Sequence, residues 1–146
     1  MVIDFQSHLF PEEYLNEMAR IQGNVILEAP DPYSGMSYFY DRTLKCRINT
    51  ATFQGRDPDR RVEHMDRLGI DVQILSVPPP GADRFDGAGA SSLARKANDA
   101  LARVCKKYPR RFAGLFTLPT ASLKASLDEI ERSVNELGLS GFGCYS

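Results

Sequence analysis

The 146-residue sequence lacks a dominant charge of either sign. Its 18 Lys and Arg residues nearly balance its 19 Asp and Glu residues, and the formal net charge is -1. Acidic and basic side chains are interleaved, so the sequence offers no basic stripe for the phosphate backbone of a nucleic acid. With 42% hydrophobic residues, the chain is expected to form one globular unit without a nucleic-acid partner.

The sequence also lacks a long hydrophobic run and a cysteine pattern. The N-terminus, MVIDFQSH, has no basic start and reaches an aspartate at its fourth residue, which is atypical of a signal peptide or a transmembrane helix. Cys46, Cys105 and Cys144 are odd in number and widely spaced, as expected of reduced thiols rather than a disulfide framework or a zinc knuckle. We therefore predict a cytoplasmic protein with no membrane partner.

The stretch from Asp57 to Pro80 predicts a helix followed by a buried strand. Asp57 can cap the helix, Pro58 can occupy its first position, and Gly69 can adopt the left-handed conformation that ends it. Residues 70–77 are almost continuously apolar and rich in β-branched side chains. Such a run is typical of a strand that is covered on both faces, as in a parallel sheet flanked by helices.

Similar helices and strands are predicted on both sides of this stretch. Residues 2–8 form a first strand with Asp4, Gln6 and His8 on one face, and residues 11–21 form a helix. Residues 24–55 read as an irregular insertion with a short hairpin. Residues 81–89 read as a flexible glycine-rich loop, because the lysine and hydroxyl of a phosphate-binding loop are missing.

The second half of the sequence continues the alternation of helix and strand. A helix capped by Ser91 or Ser92 ends at Pro109, and residues 112–118 form a strand. An amphipathic helix follows, capped by Ser122 or Thr120 and ended by Gly138, and a fourth strand begins after it. Its apolar residues are Leu123, Leu127, Ile130, Val134 and Leu137. Regular alternation predicts an α/β fold with a parallel sheet, either doubly wound or part of a barrel.

Four segments of the sequence resemble the N-terminal half of the amidohydrolase-related family, and are most similar to its aminocarboxymuconate-semialdehyde decarboxylase branch. The segments are DFQSHLFPEEYL, DPDRRVEHMDRLGIDVQILSVPP, ANDALARVCKKYPRRFAGLFTLP and LDEIERSVNELGLSGFG. The resemblance implies a (β/α)8 TIM-type barrel with zinc or another divalent metal at the C-terminal ends of its strands. Residues 1–146 are then expected to form one partial barrel domain of about four parallel strands, with residues 24–55 inserted after the first strand.

The resemblance also implies candidate site residues. In the family the first strand usually ends in Asp-x-His-x-His, and here the motif reads Asp4-Phe5-Gln6-Ser7-His8. His8 is the predicted metal ligand, and Gln6 is at best a weak one because zinc favours nitrogen and sulfur donors. Arg47 loosely matches an arginine that contacts a substrate carboxylate, a role that suits a planar guanidinium. A solvated strand arginine is the alternative.

The catalytic acid/base groups and further metal ligands of the family come from the second half of its barrel. Within this sequence we interpret His64 as a partly exposed helix residue, and Ser76 and Cys144 as packing residues. The catalytic residues therefore stay unknown.

Two functions remain open. The first is a metal-dependent decarboxylase (carboxy-lyase) or hydrolase that acts on a small carboxylated substrate. The alternative is a truncated, non-catalytic half-barrel that acts as a self-association or binding module. Because a half-barrel leaves an apolar inner face and unpaired strand edges, we expect a homo-oligomer or a complementary half-barrel as partner.

Overall fold

A computed structural model describes residues 1–21, 25–28, 38–42, 45–49, 56–79, 81–85 and 87–143 of the chain. Its strands are β1 (Ile3–His8), β2 (Val25–Leu27), β3 (Tyr38–Asp41), β4 (Cys46–Asn49), β5 (Val72–Ser76), β6 (Phe112–Phe116) and β7 (Gly141–Phe142). Its helices are α1 (Glu12–Ile21), α2 (Pro58–Leu68), α3 (Gly87–Lys107) and α4 (Leu123–Asn135). None of the helices within these ranges is both long enough and apolar enough to cross a membrane.

The main sheet is parallel, with its four strands in the order β1, β5, β6, β7. A second sheet contains β2, β3 and β4 in that order, and neighbouring strands in it are antiparallel. This second sheet lies within the predicted insertion, whose boundaries at residues 24 and 55 stay a prediction. Because β1, β5 and β6 are each followed along the chain by helical segments, the architecture is α/β, as the sequence predicts.

The prediction for the helix and strand around residues 57–77 is confirmed. The Asp57 carboxylate accepts hydrogen bonds from the backbone amides of Asp59 and Arg60, at 3.0 and 3.1 Å. Pro58 opens α2, and Gly69 ends it with a φ of 68°. Local sequence chemistry therefore determines both ends of α2.

The prediction that Asp4, Gln6 and His8 share one face of β1 is wrong. Asp4 lies beside Gln73, whereas Ser7 lies beside Leu75 and His8 beside Ser76. Between Asp4 and Ser7, β1 therefore contains one residue more than β5, which is a bulge that reverses the side-chain alternation. Since Gln73 and Ser76 are three residues apart in β5, their neighbours Asp4 and His8 lie on opposite faces of the sheet.

The predicted glycine-rich loop is more ordered than expected. Residues Ala82–Arg84 form a 3₁₀ turn, and α3 begins at Gly87, before the predicted caps Ser91 and Ser92. The Ser92 hydroxyl instead donates a hydrogen bond of 2.6 Å to the buried carboxylate of Glu17. This tertiary contact explains why serines that could cap a helix lie inside one.

The hydrophobic core lies on the helix-covered face of the main sheet. Its members include Tyr14, Leu15 and Met18 from α1, Leu93, Ala97 and Leu101 from α3, and Leu75, Phe112 and Phe116 from the sheet. The residues that alternate with these strand residues are only partly buried: Ile74, Ala113 and Leu115. The sheet therefore has one covered face and one open face.

The predicted amphipathic helix is confirmed with Ser122 as its cap, and it runs from Leu123 to Asn135, ending before the predicted Gly138. Its orientation differs from that of an ordinary surface helix. Ser126, Glu129 and Ser133 are buried, whereas Leu123, Leu127, Ile130 and Val134 are exposed. The apolar side of α4 therefore points away from the core.

A buried asparagine joins α3 to the end of β6 and to α4. The Asn98 side chain is fully buried and exchanges hydrogen bonds with the backbone of Thr117, donating at 2.9 Å and accepting at 2.8 Å. Its amide nitrogen also donates to the Glu129 carboxylate, at 2.7 Å. Buried polar groups of this kind are costly when they lose their partners.

We predict that Asn98→Ala destabilises the protein by about 2–4 kcal/mol, because it leaves the Thr117 backbone and Glu129 without this partner and opens a small cavity. Urea denaturation followed by circular dichroism measures the change. The control is Asn135→Ala at an exposed position of α4, which should cost less than about 0.5 kcal/mol. An equal effect of both substitutions would contradict the role assigned to Asn98.

Candidate active site

A cleft of about 420 Å³ lies along β1 and α2. The candidate metal ligands Gln6 and His8 both line it, and so does His64 from α2. Its other lining residues are Asp4, Ser7, Phe10, Arg61, Leu68, Ile70 and Gln73. The structure therefore brings the two histidines of the chain and the end of β1 to one cavity.

His8 lies at the C-terminal end of β1, where barrel enzymes carry their active sites. Its Nδ1 atom is 3.1 Å from the Oγ atom of Ser76, a hydrogen-bond distance that orients the ring. Burial lowers the pKa of His8 below its usual value, and the positive charge of Arg61 lowers that pKa further. His8 is therefore a neutral imidazole at neutral pH, the form in which histidine binds metals.

Arg61 supports the end of β1 from within the protein. Its side chain is 4% exposed, and burial lowers its pKa to about 10, so that it stays charged at neutral pH. Its Nη2 atom donates to the backbone oxygen of His8 at 2.5 Å, and its Nη1 atom donates to the Gln73 side chain at 3.1 Å. Arg61 therefore links α2 to both β1 and β5.

The same hydrogen-bond network extends to Asp4. The Asp4 carboxylate accepts a bond of 2.6 Å from the Ser7 hydroxyl and one of 2.8 Å from the Gln73 amide. The Ser7 bond is the main cause of the lowered pKa of Asp4. Asp4 is consequently a carboxylate at neutral pH, and it is bonded on the face of the sheet opposite to His8.

Sequence reasoning did not select Arg61 or Gln73. One signal was available for Arg61, because it precedes Met65 by four residues and so lies on the same side of α2 as that buried methionine. Gln73 is the one polar residue among the first four residues of β5. Ser76 was interpreted as a packing residue, and the structure corrects this by placing its hydroxyl beside the His8 ring.

The other candidates differ in their relation to the cleft that His8 lines. Arg47 is more than half exposed, and its Nε atom donates to the Glu28 carboxylate at 2.9 Å while its guanidinium stacks on the Tyr38 ring at 4.7 Å. Arg47 is not among the residues that line the cleft. His64 is a half-buried helix residue, as predicted, but it lines the cleft. Cys144 lies outside the described residues.

The metal-ligating capacity of this part of the chain is small. Within the described ranges, no three or more His, Cys, Asp or Glu side chains cluster in a way that could hold a metal ion. A catalytic zinc site typically has three protein ligands. The described residues therefore do not form a complete metal site by themselves, although His8 can supply one donor.

The amidohydrolase family model matches residues 3–146. The chain belongs to this family. Over 84 residues it is 43% identical to the gamma-resorcylate decarboxylase of Polaromonas sp. (strain JS666 / ATCC BAA-500), covering 57% of this chain and 26% of the relative. Over 86 residues it is 37% identical to the 2-amino-3-carboxymuconate-6-semialdehyde decarboxylase of Dictyostelium discoideum. That match covers 58% of this chain and 24% of the relative.

A solved structure gives the same assignment of fold. The dihydroxybenzoic acid decarboxylase from Polaromonas sp. JS666, with bound manganese and the inhibitor 2-nitroresorcinol, matches with a TM-score of 0.64 and 32% identity. The match covers 97% of this chain and 37% of that chain, so this amidohydrolase spans well under half the length of its relatives. The predicted fold class, four parallel strands of a TIM-type barrel, is confirmed.

We predict that Arg61→Met raises the pKa of His8, because it removes a positive charge that disfavours the imidazolium form. The pKa should stay below about 6.5, since burial, the larger cause of the shift, remains. A pH titration of the histidine ring signals by NMR measures it. Arg60→Met, at the exposed neighbouring position of α2, should leave the His8 pKa unchanged, and an equal rise in both variants would contradict this account.

Proposed function

We propose that this amidohydrolase contributes to a metal-dependent carboxy-lyase that acts on a small carboxylated substrate, with His8 as a metal ligand. The observation that carries the proposal is the position of His8 at the C-terminal end of a parallel strand, in one cleft with Gln6. Its ring is oriented by Ser76, and its backbone is held by Arg61. A ligand held in this way is typical of metal centres in proteins.

The relatives support decarboxylation rather than hydrolysis. Both sequence relatives are decarboxylases by name, as is the structural relative, which carries bound manganese. We propose a dihydroxybenzoate-like aromatic acid as the substrate class, because two of these three proteins are named for such acids. Zinc and manganese are both candidate ions.

The substrate-binding role of Arg47 stays a prediction. Its guanidinium is already bonded to Glu28 and stacked on Tyr38, so a substrate carboxylate would have to compete with Glu28 for it. Gln6 lines the same cleft as His8 and is proposed as a weak ligand. The remaining donors must come from outside the described residues, because these do not complete a metal site.

The second candidate function is a non-catalytic module that binds another protein chain. Two observations favour it: the incomplete set of metal ligands among the described residues, and the open face of the main sheet. The two candidates differ in whether the purified chain binds a divalent ion.

Elemental analysis of the purified 146-residue chain, repeated after dialysis against zinc or manganese, separates the two functions. The carboxy-lyase proposal predicts that the protein retains a stoichiometric ion and that His8→Ala loses it. His64→Ala, which removes the other histidine of the cleft, should retain the ion. Wild-type protein that stays metal-free after dialysis would refute the carboxy-lyase proposal for this chain and leave the binding module.

We further predict that Gln6→His increases zinc affinity by at least about tenfold, because imidazole is a better zinc ligand than a carboxamide. The substitution recreates the Asp-x-His-x-His pattern of the family in β1. Competition with a chromogenic chelator measures the affinity, and Gln6→Asn serves as the control that changes length but not ligand type. Equal affinities of the two variants would show that position 6 does not face the ion.

A further inference from the structure

The exposed apolar residues of α4 form a continuous stripe at coiled-coil spacing. Leu123, Leu127, Ile130 and Val134 are separated by four, three and four residues, and they are 76%, 56%, 37% and 50% exposed. This is the alternation of a and d positions in a heptad repeat, which places all four side chains along one seam of a helix. We refer to these four residues as the α4 stripe.

The α4 stripe cannot turn inward without breaking satisfied contacts on the opposite side of the helix. Buried Glu129 accepts bonds from Asn98 at 2.7 Å and from Arg132 at 2.6 and 3.0 Å. Ser126 donates to the backbone oxygen of Pro119 at 3.1 Å. The orientation of α4 is thus fixed by polar partners, and its apolar side faces outward as a consequence.

We propose that the α4 stripe is the contact surface for a second copy of this chain, with the two α4 helices packed antiparallel. Ser126 and Ser133, the g positions of the heptad, are buried inside the protein, so a partner helix must approach from the e side. The e positions are Lys124 and Glu131, seven residues apart and both exposed.

Charge complementarity selects the antiparallel arrangement. When two such helices pack antiparallel, e positions face e positions, so Lys124 of each copy lies near Glu131 of the other. In a parallel pair, the e positions of one helix would instead lie next to the g positions of the other, which are the buried serines. Lys124 also bonds to Asp128 of its own helix at 2.6 Å, an exposed pair that contributes little and does not prevent the second contact.

The size of the stripe indicates a weak and concentration-dependent dimer. The four side chains expose on the order of 400 Å² per chain, so a pair that covered them would bury about 800 Å² in total, below the about 1,200 Å² at which stable specific interfaces begin. This inference does not depend on the proposed carboxy-lyase function, because none of the residues that line the cleft belongs to α4.

Sedimentation velocity of the 146-residue chain over a concentration series up to about 500 µM tests the proposal, since an interface this small is expected to be weak. We expect a reversible monomer–dimer equilibrium for the wild type. Leu127→Glu should raise the dissociation constant by at least about tenfold, because it places a charge in the apolar seam. Asn135→Glu, which adds the same charge on α4 outside the stripe, should not.

A charge exchange tests the orientation of the helices. Lys124→Glu and Glu131→Lys should each weaken the dimer by placing like charges opposite each other, and the double exchange should restore it. These positions are exposed, so the variants remain informative if Leu127→Glu does not fold. Three results would overturn the proposal: a monomeric wild type, a dimer that is indifferent to Leu127→Glu in a folded protein, or a double exchange that fails to restore association.

Discussion

The position of His8 depends on one buried guanidinium. Removing a charged group from water costs several kcal/mol, and Arg61 offsets that cost by hydrogen bonds to the His8 backbone and to Gln73 and by attraction to the Asp4 carboxylate. Those bonds require α2 to pack against the sheet in one register, with Met65 buried one turn further along the helix. The position of the end of β1 therefore depends on how α2 packs against the sheet. The sequence does not predict any residue of that helix as part of the site.

Elements that depend on local chemistry could be predicted from the sequence. The ends of α2 follow from Asp57 and Gly69, and β5 follows from a run of apolar, β-branched residues. The family resemblance then supplied what local patterns leave open, namely that the parallel strands belong to a barrel rather than to a doubly wound sheet. Among the candidate site residues, Gln6 and His8 line the same cleft, as the Asp-x-His-x-His motif of the family leads one to expect.

Features that depend on contacts distant in sequence could not be predicted. The bulge in β1 exists because Asp4 pairs with Gln73 while His8 pairs with Ser76, and no residue within β1 signals it. The helix α3 starts before Ser92, and the Ser92 hydroxyl donates its hydrogen bond to Glu17 on α1 instead of capping the helix. Helical periodicity likewise identifies the apolar side of α4 but not the direction in which that side points.

The incomplete metal site and the exposed apolar surfaces have a common physical origin. A barrel collects its ligands from the C-terminal ends of strands all around its axis, and the same strands cover one another's inner faces. The main sheet provides four such strands, so His8 reaches the rim with few potential co-ligands among the described residues, while Ile74 and Leu115 stay partly exposed. Any chain that supplies the missing ligands of His8 by closing the barrel must therefore also bury this face. The proposed metal binding through His8 would therefore be coupled to burial of the open sheet face, whereas the proposed association through α4 would leave both unchanged.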